Sequence, residues 1–140
     1  MINFKEEAMA IKDELISIRR DFHEHPEIGF ELPRTSKVIK DYLDSLGIPY
    51  IETAKTGICG LIKGTKEGNN KVVALRGDMD ALPIQDRKTC EFSSKEPGKM
   101  HACGHDAHMT ILMGAAKLLN SHKDEFSGTV NLFFEPAEET

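Results

Sequence analysis

The chain has 140 residues, 39% hydrophobic and 29% charged, which suits a single globular core and excludes disordered or collagen-like composition. A net charge of −5 argues against a broad nucleic-acid surface. The longest apolar stretch, Met109 to Ala116, falls well short of the roughly 20 residues a membrane span needs. The acidic opening MINFKEEAMAIKDE lacks the form of a secretory signal. A soluble, cytoplasmic chain is therefore expected, with Cys59, Cys90 and Cys103 as reduced thiols.

Apolar residues at Ala8, Ile11, Leu15, Ile18 and Phe22 alternate in steps of three and four, which predicts one amphipathic helix over about residues 4–25, stopped by Pro26. A second helix is predicted over about residues 33–46, with Ile39, Leu43 and Leu46 inward and Gly47 as its stop. The connector HEHPEIGFE is polar, and its His23 and His25 read as surface or helix-end histidines rather than ligands. Residues 48–52 and 57–63 read as strands, and Gly68-Asn69-Asn70 as a turn. The nearly unbroken apolar run KVVAL, residues 71–75, predicts a strand covered on both faces.

The polar stretch over residues 85–99 is long enough to be a functional loop. Residues 106–121 then predict a helix that is apolar on nearly all sides and deeply packed, with Met109 and Met113 in the core. Residues 128–134 predict a last strand. This alternation predicts an α/β fold: a mixed, partly parallel sheet packed by helices. The chain stops just after that strand, so it is expected to be a fragment of something longer.

In open α/β sheets, ligands gather outside the carboxyl ends of strands. Two predicted strands here run into acids, Asp78 with Asp80 and Glu138 with Glu139. A third cluster, residues 101–108 (HACGHDAH), opens the buried helix. Each piece alone has an ordinary reading: an aspartate capping a turn, solvated glutamates, a small buried cysteine. Together they would bring a thiol, up to three imidazoles and four carboxylates into one cleft. Sulfur, nitrogen and oxygen donors in that mixture suit zinc or a neighbouring ion. Adjacent residues at a strand end point to opposite sides, so Glu138 and Glu139 are expected to face different partners.

The segments ALRGDMDALPI, KMHACGHDAHM with LMGAAKLL, and GTVNLFFEPAEE occur in the order of the motifs they resemble, those of the zinc-dependent amidohydrolases. That family includes hippurate hydrolases, N-acyl-amino-acid amidohydrolases, indoleacetyl-amino-acid hydrolases and N-acetyl-diaminopimelate deacetylases. It is related more widely to aminoacylases and carboxypeptidases. RRDFHEHPEIGFE resembles the family's opening segment.

The resemblance implies that residues 1–140 form the N-terminal portion of a di-metal hydrolase catalytic domain, with the lid domain and the rest of the catalytic domain lying downstream. It implies Cys103, His105 and Glu139 as metal ligands, Cys103 as the bridge between two ions, and Glu138 as the general base that activates water. Asp80 sits where the family has a supporting aspartate. Asp78 stands where the wider family has a ligand histidine and is not counted as a ligand. His108 belongs to the motif with its role open. Glu135 stands where glutamine most often precedes PAEE.

Two divalent ions are implied, zinc first, with manganese, cobalt and nickel as alternatives. The implied reaction is hydrolysis of the amide of an N-acyl amino acid, with a small-molecule substrate, no nucleic acid, no membrane, and a homo-oligomer left open. These residues alone are expected to be inactive. The alternative is a non-catalytic metal-binding or redox module with Cys103 as a reactive thiol. The Glu138–Glu139 pair argues against it, since a redox thiol needs no paired carboxylates at a distant strand end.

Overall fold

The computed structural model describes residues 2–140. The first predicted helix is two: α1 spans Phe4–Ala10 and α2 spans Lys12–Glu24. Ile11 sits at the break with φ −99° and ψ 9°. Its N–H still bonds the Glu7 carbonyl (3.3 Å) and its carbonyl accepts from Leu15 N–H (3.0 Å), so the two pieces form one bent rod. A three-and-four stripe has the same spacing in a straight and a bent rod, which is why the pattern did not reveal the break. The stripe buries Phe22 at its inner end, while α1 buries no residue.

α3 spans Pro33–Ser45, with the proline in its first turn, where a missing N–H is harmless. It ends at Gly47, whose φ of 65° lets the Ile48 N–H reach back to the Leu43 carbonyl (3.0 Å). The strands are β1 (Tyr50–Thr53), β2 (Gly57–Lys63), β3 (Val72–Asp78) and β4 (Thr129–Glu135), and α4 (His105–Ser121) lies between the last two.

The sheet order is β1-β2-β4-β3. β2 pairs antiparallel with both β1 and β4, and β3 pairs parallel with β4. The expected mixed, partly parallel sheet is thus present. Period-two alternation buries Ile58 and Ile62 of β2 and Val130, Leu132 and Phe134 of β4 on one face. α3 and α4 cover that face: a Cβ on Gly60 would meet Leu43, and one on Gly77 would meet the His108 carbonyl at 3.1 Å and Leu112 at 3.2 Å. Ile51, Leu61 and Phe133 are exposed on the other face.

Two burial expectations are corrected. Residues 2–140 do not cover KVVAL on both faces: within them β3 is an edge strand, with Val72 64% and Val73 52% exposed. An apolar run records a demand for cover but not where the cover comes from. Likewise α4 is not packed all round. Met109, Leu112, Met113 and Ala116 are buried, but Ile111 is 67% exposed. Residues 85–99 contain no helix or strand, as expected, and are folded around Asp86, whose carboxylate accepts from the Lys88 and Ser94 amides. Among the described residues, no helix is long and apolar enough to cross a membrane.

Candidate metal centre

The crossover β3–α4–β4 makes β3 and β4 parallel, so both carboxyl ends lie at one end of the sheet, with Asp78 opposite Glu135. Gly77 lets α4 cross close above this end, which places the first turn of α4 over the strand tips. Asp78, Asp80, His105, Glu138 and Glu139 meet there.

Asp80 is the hub. It is 1% exposed, and its carboxylate accepts two backbone N–H groups, that of Glu138 at Oδ1 (3.1 Å) and that of Glu139 at Oδ2 (3.1 Å). Its main-chain carbonyl accepts from His105 Nδ1 at 2.8 Å. With its proton on Nδ1, the buried His105 ring turns the Nε2 lone pair toward the acids, the usual preparation of an imidazole for a metal. Nε2 lies 3.7 Å from Glu138 Oε2, 3.8 Å from Glu139 Oε1 and 3.9 Å from Asp78 Oδ2.

Glu138 and Glu139 are not at the strand's end. β4 stops at Glu135, and the two glutamates occupy a turn after Pro136 and Ala137, the latter with φ 59°. Strand alternation therefore does not separate them. Both carboxylates approach His105 Nε2 at nearly the same distance.

Cys103 is exposed, just before Gly104, whose φ of 95° turns the chain into α4. Cys103, His105 and Glu139 bring one donor atom each within 4.8 Å of one another. A second group, Asp78, His105 and His108, meets the same limit and shares His105. The Cys103 thiol is pushed above its ordinary pKa, first by its hydrogen bond with Glu139, then by burial and by the charges of Glu139, Glu138 and Asp78. A dication fits this set: soft and hard donors converge, and their negative charges repel one another without one.

Arg76 stands beside the cluster. Its Nη2 pairs with Asp78 Oδ1 at 2.7 Å and lies 4.0 Å from Glu138 Oε1, and its Nε pairs with Glu135. His108 Nδ1 lies 3.2 Å from Asp78 Oδ2, and its ring stacks on His105 with centroids 5.4 Å apart. The cleft gathers two imidazoles rather than three. His101 is buried instead, with neither ring nitrogen hydrogen-bonded, and burial pushes its pKa down to about 4.

His23 sits in the last turn of α2, as a helix-end histidine, but not at the surface. It is 3% exposed, and its Nδ1 lies 2.7 Å from Asp106 Oδ2. The sequence carries one signal for this: His23 follows Phe22 on the inward side of α2, one turn beyond Arg19, which reaches the same carboxylate at 3.2 Å. His25 does sit at the helix end, with Nδ1 2.9 Å from the Asp21 carbonyl.

An α/β layer that gathers thiol, imidazole and carboxylates outside parallel strand ends has the form of a metallohydrolase half-site. Residues 74–140, which hold the whole cluster, match the model of Peptidase family M20/M25/M40. It is 56% identical over 128 residues to an IAA-amino acid hydrolase of Arabidopsis thaliana, covering 91% of this chain and 29% of that protein. It is 42% identical over 130 residues to an N-acyl-L-amino acid amidohydrolase of Geobacillus stearothermophilus, covering 92% of this chain and 35% of that protein. Its structure superposes on a dinuclear metal-binding peptidase of the M20 family from Bacillus subtilis with a TM-score of 0.88 at 44% identity, covering 94% of this chain and 37% of that one. The chain thus spans about a third of the length of these relatives.

Proposed function

We propose that the protein containing these residues is a metal-dependent amidohydrolase that cleaves the amide bond of N-acyl amino acids. Residues 1–140 are the N-terminal portion of its catalytic domain, and the lid and the remainder belong to the rest of the protein. The observation that carries this reading is the convergence of Cys103, His105 and Glu139, with Glu138 alongside. Cys103, His105 and Glu139 would hold two divalent ions, zinc first, with Cys103 shared between them. Bound there, such an ion would supply Lewis acidity, polarising the amide carbonyl and lowering the pKa of a water to about 7.

The chain's own groups do the rest. Glu138, its side chain 38% exposed, is free to accept the proton of the attacking water. It returns that proton to the departing nitrogen as the C–N bond breaks, leaving a carboxylic acid and an amino acid. Glu139 is spent as a ligand, so the neighbouring carboxylates divide the work. Asp80 orients both of them through their amides and fixes His105 through its carbonyl. Asp78 is occupied by Arg76 and His108, which supports leaving it out of the ligand set.

The redox alternative fares worse. Reactive cysteines sit in electropositive surroundings that favour thiolate, whereas Cys103 lies among carboxylates that favour the thiol. We place the protein in the cytoplasm, in line with three unpaired cysteines, and its partner is a small molecule. The test is an assay of the full-length protein on acetyl, benzoyl and indoleacetyl amino acids, with and without chelator. Turnover lost on metal removal and restored by zinc is expected, while turnover that survives complete removal overturns the mechanism. Residues 1–140 by themselves are expected to be inert in the same assay.

A further inference from the structure

The helix that carries His105 begins without an ordinary cap. Its N-cap residue is Gly104, which has no side chain to bond the first amides. Gly104 is also the residue that joins His105 to Cys103, so two proposed ligands flank the most pliable point of the segment. Something else must fix this turn.

Asp106 does so. It is fully buried, and its Oδ1 accepts the Ala107 N–H at 2.9 Å. Its Oδ2 faces α2, where it meets His23 Nδ1 at 2.7 Å and Arg19 Nε at 3.2 Å. The far side of the His23 ring is also engaged: Nε2 lies 3.0 Å from Lys88 Nζ and 3.8 Å from Asp86 Oδ2. An ammonium only donates, so Nε2 accepts from Lys88, and the ring proton sits on Nδ1 and is donated to Asp106. Phe92 packs edge-on against the ring with centroids 6.0 Å apart, and Arg20 covers the Phe92 ring at 4.8 Å. Asp86 is itself tied down by the Lys88 and Ser94 amides. His23 is thus the junction of α2, the loop over residues 85–99 and the first turn of α4.

We infer that His23 is a positioning residue for the metal centre: by donating to Asp106 it holds the uncapped start of α4, and so sets where His105 and Cys103 present their donor atoms. The inference rests on the metal-centre reading above. His105 is held on the sheet side by the Asp80 carbonyl and on the helix side by this clamp. Ligand atoms must be kept within about 0.5 Å of their working positions, and a first turn without a cap does not do that alone.

The test uses the full-length protein with cobalt(II) as probe, reading affinity, the d–d bands and the thiolate-to-cobalt band. His23→Asn keeps an N–H donor at the position of Nδ1. His23→Gln carries its amide to the position of Nε2, toward Lys88, and strips Asp106 of its donor. The glutamine variant is expected to bind cobalt about 10–100-fold more weakly, with shifted d–d bands, and the asparagine variant to stay near wild type. A merely structural His23 predicts that both lose thermal stability alike and that cobalt affinity follows; that result overturns the inference. So does a folded glutamine variant with wild-type affinity and spectrum. Should that variant not fold, Asp106→Asn takes its place: its amide oxygen still accepts the Ala107 N–H but its NH2 cannot accept from His23, and unchanged cobalt binding there overturns the inference. A wild-type protein that binds no cobalt overturns the metal-centre reading, and this inference with it.

Discussion

Residues 103–108 and residues 136–139 meet at the same point, but the first segment is fastened from several sides, while the main chain of the second is held by one side chain. Asp106 is tied to α2, His105 to the Asp80 carbonyl, and His108 to Asp78. The acidic turn hangs on the Asp80 carboxylate through its two amides, and the Glu139 side chain adds its hydrogen bond with Cys103. The glutamate side chains remain 38% and 25% exposed against 2% for His105. A hydrolytic centre uses both conditions. The imidazole must be in place before a metal arrives, while a base that collects and returns a proton needs some freedom.

The largest effect that can break this comparison is expected from the turn. In the full-length protein, Glu138→Gln should lower kcat by about 100- to 10,000-fold and leave metal content intact, because the amide keeps the shape and cannot take the proton. Glu139→Ala and Cys103→Ala should instead lose metal. Elemental analysis beside steady-state kinetics separates the two outcomes, and reversed phenotypes of the glutamates would exchange their roles.

Next comes the single fastening. Asp80→Ala leaves two amides unpaired and frees the turn, and metal affinity measured by calorimetry should fall about 10–100-fold. If affinity held, the turn would be positioned by something other than Asp80.

The fastened half has its own weakness. His101, buried beside it, is stable only as the neutral ring, with a folded pKa of about 4 against an ordinary 6.5. In the metal-free protein its contribution is complete above about pH 6.5 and is lost as pH falls toward 4, because the unfolded chain takes up the proton first. The loss should approach about 3 kcal/mol, since each tenfold difference in proton affinity between the folded and unfolded chain is worth roughly 1.4 kcal/mol. Urea midpoints across that range measure it, and His101→Leu should flatten the acid limb. The smallest effect belongs to Ala137→Gly. Relief of its positive φ, about 1 kcal/mol, is offset by the entropy that glycine adds to the unfolded chain, so thermal stability should barely move.

Where burial follows local spacing, the sequence is readable. Ile39 and Leu43 on α3 and the alternation of Ile58, Gly60 and Ile62 along β2 are set by patterns a few residues long. The cluster of Asp78, Asp80, His105, Glu138 and Glu139 is legible as three motifs at element ends. What joins the motifs is not. The grip of Asp80 on two distant amides, and that of His23 on Asp106, leave no periodic trace, because each partner reads locally as an ordinary polar residue. Pro136 and Ala137 part Glu138 and Glu139 from the strand end assumed for them, since proline cannot donate to a ladder and Ala137 turns away from it. The edge position of β3 is hidden for another reason: Val72 and Val73 look the same with or without a strand beside them.

The parallel register of Asp78 with Glu135 also sets an order of events. β1 and β2 are joined by a short turn, and such hairpins close within microseconds. β3 and β4 are separated by the long loop and all of α4, so their pairing must wait until that entropy has been met. Of the proposed ligands, Cys103 and His105 lie inside the stretch this pairing closes and Glu139 lies just beyond it. A metal ion can recognise its full set of donors only on a chain that has finished folding, and metal then stabilises that state in proportion to its concentration. Metal uptake during refolding would therefore run as a clock for the last step, lagging behind the recovery of helical signal.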